Sequence, residues 1–363
     1  MKKKMTILAT VLLTVLWAGL SLFAWLLPAR ESSDSERRLL AQFPEVSAKT
    51  VFNGSFARDF EEYTLDQFPG RETFRSIKAL FHRYVLGNRD NNGIYIVQGS
   101  AAELEERLNE DSVKHALQQF GTVYEAYLQG SDCNIYTAVV PDKGYYLAEE
   151  NGYPAMDYNA LFAMVEAGMP WAGYIDLTGS LTIDDYYRTD LHWRQENILP
   201  VAEQIAAAMG ISVEQSFEPA AVERPFYGVY CGQAALPMEP DTMYLMESDI
   251  MDKCRVYNYT TDSYTDVYDR TKLESKDLYD IYLSGPQSLL RIENPNAATD
   301  RELILFRDSF GSSLAPLLLR NYAAITLVDL RYIQPQLLGR YLEFTDQDVL
   351  FLHSSLVLNK SLI

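Results

Sequence analysis

The sequence predicts an α/β protein, a largely parallel sheet covered by helices on both faces, behind a single N-terminal transmembrane helix. Three observations carry this. From about residue 110 to the end, apolar runs of strand length alternate with stretches of helical spacing, the pattern of βαβ crossovers. An uncharged, mostly apolar run from Met5 to Ala29 follows Lys2, Lys3 and Lys4. The composition, 48% hydrophobic and 22% charged, is that of a folded globular chain. The net charge of −19, with no Lys/Arg block beyond Lys4, excludes a nucleic-acid partner, which would need a basic face.

The apolar run is long enough to cross a bilayer, which takes roughly 20 residues. A cleaved signal peptide has a shorter core and small residues at its cleavage site, and Leu27-Pro28-Ala29 fits that poorly. Residues 1–29 therefore read as a cytoplasmic tip and signal anchor. The lysines abut the helix, whereas Arg37 and Arg38 stand further off among Glu31, Asp34 and Glu36, which places the bulk of the chain outside the cytoplasm. Residues 30–110 read as a linker and a helical segment, with helices around 56–65 and from the Gln67-Phe68-Pro69-Gly70 turn to Leu86, then a strand at 94–97 after Asn91-Asn92-Gly93.

Residues 111–363 read as the main domain. Strands are expected at 135–140, 173–177, 303–306, 324–329 and 349–352, and helices at 113–128, 158–166, 196–209, 314–321 and 334–342. Residues 225–283 are Tyr-rich and carry alternating runs at 255–260 and 264–269, which suggests an antiparallel insertion. Cys133, Cys231 and Cys254 are too scattered for a disulfide framework.

In an open parallel sheet, ligands bind beyond the carboxyl ends of the strands. There, Arg307-Asp308-Ser309-Phe310-Gly311 forms a tight strand-to-helix turn that can expose the Ser309 hydroxyl. A capping serine is the plainer reading of such a turn, although Ser312 or Ser313 is better placed to cap a helix whose first turn holds Pro316. A serine nucleophile needs a base. His82 and His115 fit helix surfaces; His353 closes a strand; His192 lies two residues after Asp190, so that an extended backbone points both side chains one way. On the residues alone, His192 and His353 both stand as base. Nothing suggests a metal site, a phosphate loop or a bound cofactor.

Thr189-Asp190-Leu191-His192-Trp193 resembles the signature of the DHHW protein family, with Leu191 in place of its first histidine. That family is similar to the alginate acetylation proteins AlgJ and AlgX, which have SGNH-hydrolase-like domains. Ser35-Glu36-Arg37-Arg38-Leu39-Leu40, Asp66-Gln67-Phe68-Pro69-Gly70-Arg71, Pro141-Asp142-Lys143, the Ser309 block and Asp329-Leu330-Arg331-Tyr332 extend the resemblance in order. It implies an SGNH-hydrolase-like fold with Ser309 as nucleophile, His192 as base and Asp190 as its orienting acid. Arg307, Gly311, Lys143, Arg331 and Tyr332 become candidates for the oxyanion hole or substrate contact, beside the Ser309 amide. The implied activity is O-acetylation of a cell-surface or exported polysaccharide through an acetyl-serine, with a multispanning O-acyltransferase as acetyl supplier. A carbohydrate acetylesterase and a non-catalytic polysaccharide-binding scaffold are the alternatives. Tyr227 and Tyr230 are candidate platforms for sugar stacking, or strand-surface packing.

Overall fold

The computed structural model describes residues 2–213, 216–360 and 362–363. The chain divides into two compact units, Met1–Asn92 with Cys231–Pro237, and Gly93–Tyr230 with Met238–Ile363.

The first unit opens with α1 (Lys2–Leu26), apolar after its opening lysines. Among the described residues it is the one helix long and apolar enough to cross a membrane. Two further helices, α2 (Ser55–Asp66) and α3 (Arg71–Tyr84), follow. Phe43 packs on Phe56, Phe60 and Tyr63 of α2, and charged contacts tie the rest. Arg38 grips the buried Asp66 carboxylate with both terminal nitrogens, at 2.8 and 2.6 Å, and Asp66 also accepts from the Ala41 amide. The Arg38 bond, supported by that amide, draws the Asp66 pKa below its ordinary value. The Glu36 carboxylate lies 2.5 Å from Arg71 and 3.2 Å from Arg75.

The second unit is built on one eight-stranded sheet. Its strands in chain order are β1 (Asn134–Val140), β2 (Gly173–Ile175), β3 (Arg255–Asn258), β4 (Ser263–Thr265), β5 (Leu289–Glu293), β6 (Glu302–Arg307), β7 (Ala324–Val328) and β8 (Asp348–Ser354). The spatial order is β4-β3-β5-β7-β6-β8-β1-β2. From β7 to β2 the pairs are parallel, and β5, β3 and β4 continue the sheet antiparallel beyond β7. Central strands such as Glu302-Leu-Ile-Leu-Phe-Arg307 are buried on both faces because each face has its own helical cover. Leu303 and Leu305 pack towards α4 (Leu199–Ala208), while Ile304 and Phe306 belong to the cluster of Val113, Phe120 and Leu161 on the other face.

Four readings change. The alternating runs at 255–260 and 264–269 form the β3–β4 hairpin, but it extends the main sheet through β5, a strand the periodicity did not reveal. The helix expected at 113–128 is α-helical over Glu110–Val123 and closes with a π-turn at Tyr124–Leu128. The helix expected at 314–321 starts earlier: Phe310–Leu314 is α-helical and Ala315–Asn321 is 3-10, because Pro316 has no N–H to continue the α ladder. Ser312 and Ser313 therefore lie buried inside the helical turn rather than at its cap. The segment 334–342 forms only a 3-10 turn, Pro335–Arg340, again opening on a proline.

Candidate active site

The carboxyl ends of the parallel strands gather the polar residues. After β6, the chain turns at Asp308-Ser309 into the helix beginning at Phe310. Asp308, fully buried, makes this turn rigid: its carboxylate accepts from the Phe310 amide at 3.0 Å and the Ser354 amide at the end of β8 at 2.7 Å. The Gly311 amide is taken by the Asp308 carbonyl at 3.2 Å. Ser309 stands at the N-cap position without capping, so its hydroxyl is left for another partner.

That partner is His192. Its Nε2 lies 2.7 Å from Ser309 Oγ, and its Nδ1 lies 2.6 Å from Asp190 Oδ1. Asp190 is fully buried, and its second oxygen accepts from the Val229 amide at 2.9 Å. A buried acceptor-only carboxylate against Nδ1 places the imidazole proton there and leaves the Nε2 lone pair facing the hydroxyl. The Tyr279 ring stacks on the imidazole, with centroids 3.8 Å apart and planes within 8°. The Tyr279 hydroxyl lies 2.7 Å from Ser313 Oγ, which also accepts from Trp193 Nε1 at 2.8 Å.

The loop carrying Asp190 and His192 is irregular, and side chains from distant positions hold it. Lys143, buried after β1, donates from Nζ to the carbonyls of Tyr187 (2.7 Å), Arg188 (3.1 Å) and Asp190 (3.1 Å). Burial lowers the Lys143 pKa to about 7, opposed by the charges of Asp190 and Asp241. Asp241 accepts from the Arg188 amide (3.0 Å), the Thr189 amide (2.8 Å) and the Thr189 hydroxyl (2.7 Å). Gly228 passes so close that a Cβ there would meet the Thr189 carbonyl and the Asp190 backbone, and its amide donates to Thr189 Oγ1 at 2.8 Å. Asp241, Gly228 and Tyr279 were missed by sequence reasoning. Only the tertiary fold brings them to the loop, and no local motif marks them.

The other candidates occupy defined places. Lys143 has its three donors on carbonyls and holds the loop rather than facing an oxyanion. Gly311 has its amide committed, and a Cβ there would collide with Arg307. Arg307 is buried, and burial lowers its pKa against the opposing pull of Asp329, 3.7 Å away. Its Nη1 reaches the Asp308 carbonyl at 3.4 Å, while Nε and Nη2 have no hydrogen-bond partner among the described residues. Arg331 grips Asp329 through Nε (2.8 Å) and Nη2 (2.6 Å), and its guanidinium lies over the exposed Tyr332 ring. His353 packs against Phe120 and is buried, which lowers its pKa to about 4; the Ser309 hydroxyl is bonded to His192 instead. Tyr230 is buried near Lys143, so of the two named tyrosines only Tyr227 offers a ring to solvent. Cys133, Cys231 and Cys254 form no disulfide with one another, and no group of metal-binding side chains occurs among the described residues.

The second unit is thus an α/β fold whose parallel sheet is covered by helices on both faces, with a serine, a histidine and an aspartate in one hydrogen-bonded line beyond the carboxyl ends of its parallel strands. The sequence model of the DHHW protein family matches residues 178–328, the stretch holding Asp190, His192 and Ser309, so the resemblance seen in the motifs holds there. A DHHW family protein from Eubacterium siraeum superposes with a TM-score of 0.57 at 20% identity, covering 74% of this chain and 93% of that one. Bacillus cereus PatB1, solved with a sulfonyl adduct, gives a TM-score of 0.57 at 14% identity, covering 74% and 96%. The O-acetyltransferase domain of Pseudomonas putida AlgJ gives 0.46 at 15% identity, covering 74% and 92%. At these identities the first two likenesses are of fold. No curated protein sequence matches the chain.

Proposed function

We propose that this chain is a membrane-anchored extracytoplasmic O-acetyltransferase that moves acetyl groups onto a cell-surface or exported polysaccharide through an acetyl-serine on Ser309. The observation that carries the reading is the unbroken line Asp190–His192–Ser309, at 2.6 and 2.7 Å. In the first half-reaction, His192 Nε2 takes the hydroxyl proton as Ser309 Oγ bonds to the acetyl carbonyl carbon. Asp190, kept charged in place by the Val229 amide, stabilises the imidazolium. Collapse of the tetrahedral intermediate breaks the bond to the donor's leaving group, which departs with the proton from His192. In the second half-reaction a sugar hydroxyl gives its proton to Nε2, attacks the acetyl carbon, and Ser309 leaves with the proton restored.

The oxyanion needs donors not already spent. The amides of Phe310 and Gly311 are committed to Asp308, which leaves the Ser309 amide, and Arg307 keeps two donor nitrogens without partners beside the same turn. Arg331 with Tyr332, and Tyr227, are the candidate sugar contacts. An activated acetyl group delivered outside the membrane calls for a multispanning O-acyltransferase as supplier. That PatB1 takes a sulfonyl adduct suggests the reagent class for a first test. A sulfonyl fluoride, or an activated acetyl ester given briefly, should add its mass to the Ser309 peptide and not to that of Ser309→Ala. Acetylated oligosaccharide upon adding an acceptor supports transfer; free acetate alone makes the protein an esterase. A domain that binds polysaccharide but never acylates is a scaffold.

A further inference from the structure

Helix α3 is built the wrong way round for a protein surrounded by water. Its charged side points inward: Arg71 and Arg75 bind Glu36, and Arg75 also meets Glu72 at 2.9 Å and the Gly232 carbonyl at 2.9 Å. Its apolar side points out. Phe74, Ile77, Phe81 and Tyr84 recur at helical spacing and are exposed by 50%, 56%, 49% and 77%. A continuous exposed stripe of this kind marks an interface. The chain itself says which. The main chain of Arg30 is held on both sides by one residue, its amide donating to Gln67 Oε1 at 2.8 Å and its carbonyl accepting from Gln67 Nε2 at 2.9 Å. Gln67 lies in the turn immediately before α3. Only residues 27–29 separate that clamp from the end of the apolar helix at Leu26, a reach of at most roughly 14 Å. The polar zone on each side of a bilayer is only about 5–8 Å deep, so α3 starts within reach of it. Exposed Lys78 flanks the stripe, a cation suited to anionic headgroups.

From these contacts we infer that α3 lies in the membrane interface, its Phe74–Tyr84 stripe set into the lipid surface beside the anchor. The anchor then does more than tether, because the helix fixes a second point of the first unit on the bilayer. The inference rests on α1 remaining as a membrane span, and the test separates the two. Full-length protein carrying a protease site between Leu27 and Pro28 is reconstituted into phosphatidylcholine–phosphatidylglycerol vesicles, cleaved, and sedimented. The freed chain should stay with the vesicles, and the combined Phe74→Ser, Ile77→Ser and Phe81→Ser variant should lose vesicle partition by about a hundredfold. In uncut wild type, a lipid-phase carbene reagent should label peptides from α3, which tests the contact without any substitution. Complete release of cleaved wild type, or retention untouched by the triple substitution, overturns the inference. Retention on native membranes but not on pure lipid overturns it too and makes the occupant a membrane protein. If cells deliver a mature chain lacking α1, the anchor reading alone fails, and sedimentation of that chain with vesicles still decides the helix.

Discussion

Ser309 and His192 reach one hydrogen bond from segments that are held very differently. The serine stands on a short turn between a central strand and a helix, and one carboxylate, Asp308, secures it through amides on either side. The histidine stands on an irregular loop with almost no ladder of its own. Its position comes from Lys143, Asp241, Gly228 and the Val229 amide, all far away in sequence. A turn built into a sheet is determined by its own residues, whereas a loop held by borrowed contacts is only as precise as its supports. The histidine side is therefore where small changes should cost most in geometry and least in fold.

Substitution tests that contrast. The largest effect belongs to the reacting atoms. Ser309→Ala or His192→Ala should lower acetyl transfer about 10⁴-fold or more, and Asp190→Asn about 10³- to 10⁴-fold, measured as single-turnover acylation. Equal losses from Asp190→Asn and a surface Asp→Asn would remove Asp190 from the mechanism. Next come the supports. Lys143→Met and Asp241→Asn leave Ser309 in place but loosen the loop, and each should cut kcat roughly 10- to 100-fold with little change in KM. A change in KM alone would show that these residues meet substrate instead. Tyr279→Phe keeps the ring over His192 and removes the hydroxyl, so stability should fall by about 1 kcal/mol in denaturant unfolding while acylation stays within a few-fold.

The smallest effect is electrostatic. Because the folded Lys143 pKa lies near 7, the native chain gives up that proton between about pH 7 and 10.5 while the unfolded chain still holds it. The unfolded state then binds more protons, so stability rises with pH across that window and is lost as pH falls back through 7. Unfolding wild type and Lys143→Met at several pH values should show their difference moving in wild type's favour above pH 7 and flat below it. A flat difference throughout would mean that the lysine keeps its charge in the fold.

The same contrast explains what could be read from the sequence. The strands β1, β6, β7 and β8 are apolar runs whose burial on both faces leaves a plain signature, and the Ser309 turn follows directly from one of them. The Asp190–His192 pair was visible as a triplet, and its meaning came from resemblance rather than from periodicity. Its supports were out of reach, because Asp241 and Tyr279 look like ordinary residues of a Tyr-rich segment until the chain folds. Strand β5 was hidden for a related reason: it takes part in the sheet antiparallel, next to a hairpin that read as a separate insertion. Helix types failed where Pro316 and Pro335 converted expected α-helix into 3-10 turns.

The ring of Tyr279 over His192 has a spectroscopic consequence. With planes nearly parallel and centroids 3.8 Å apart, the carbon-bound protons of the imidazole lie in the shielding region of the phenol. Their magnetic resonance signals should stand upfield of those of His82 and His115. The protein thus carries its own reporter: under the proposed mechanism, acylation of Ser309 would shift the imidazole against its neighbour and move those lines, so the reaction can be followed without a label.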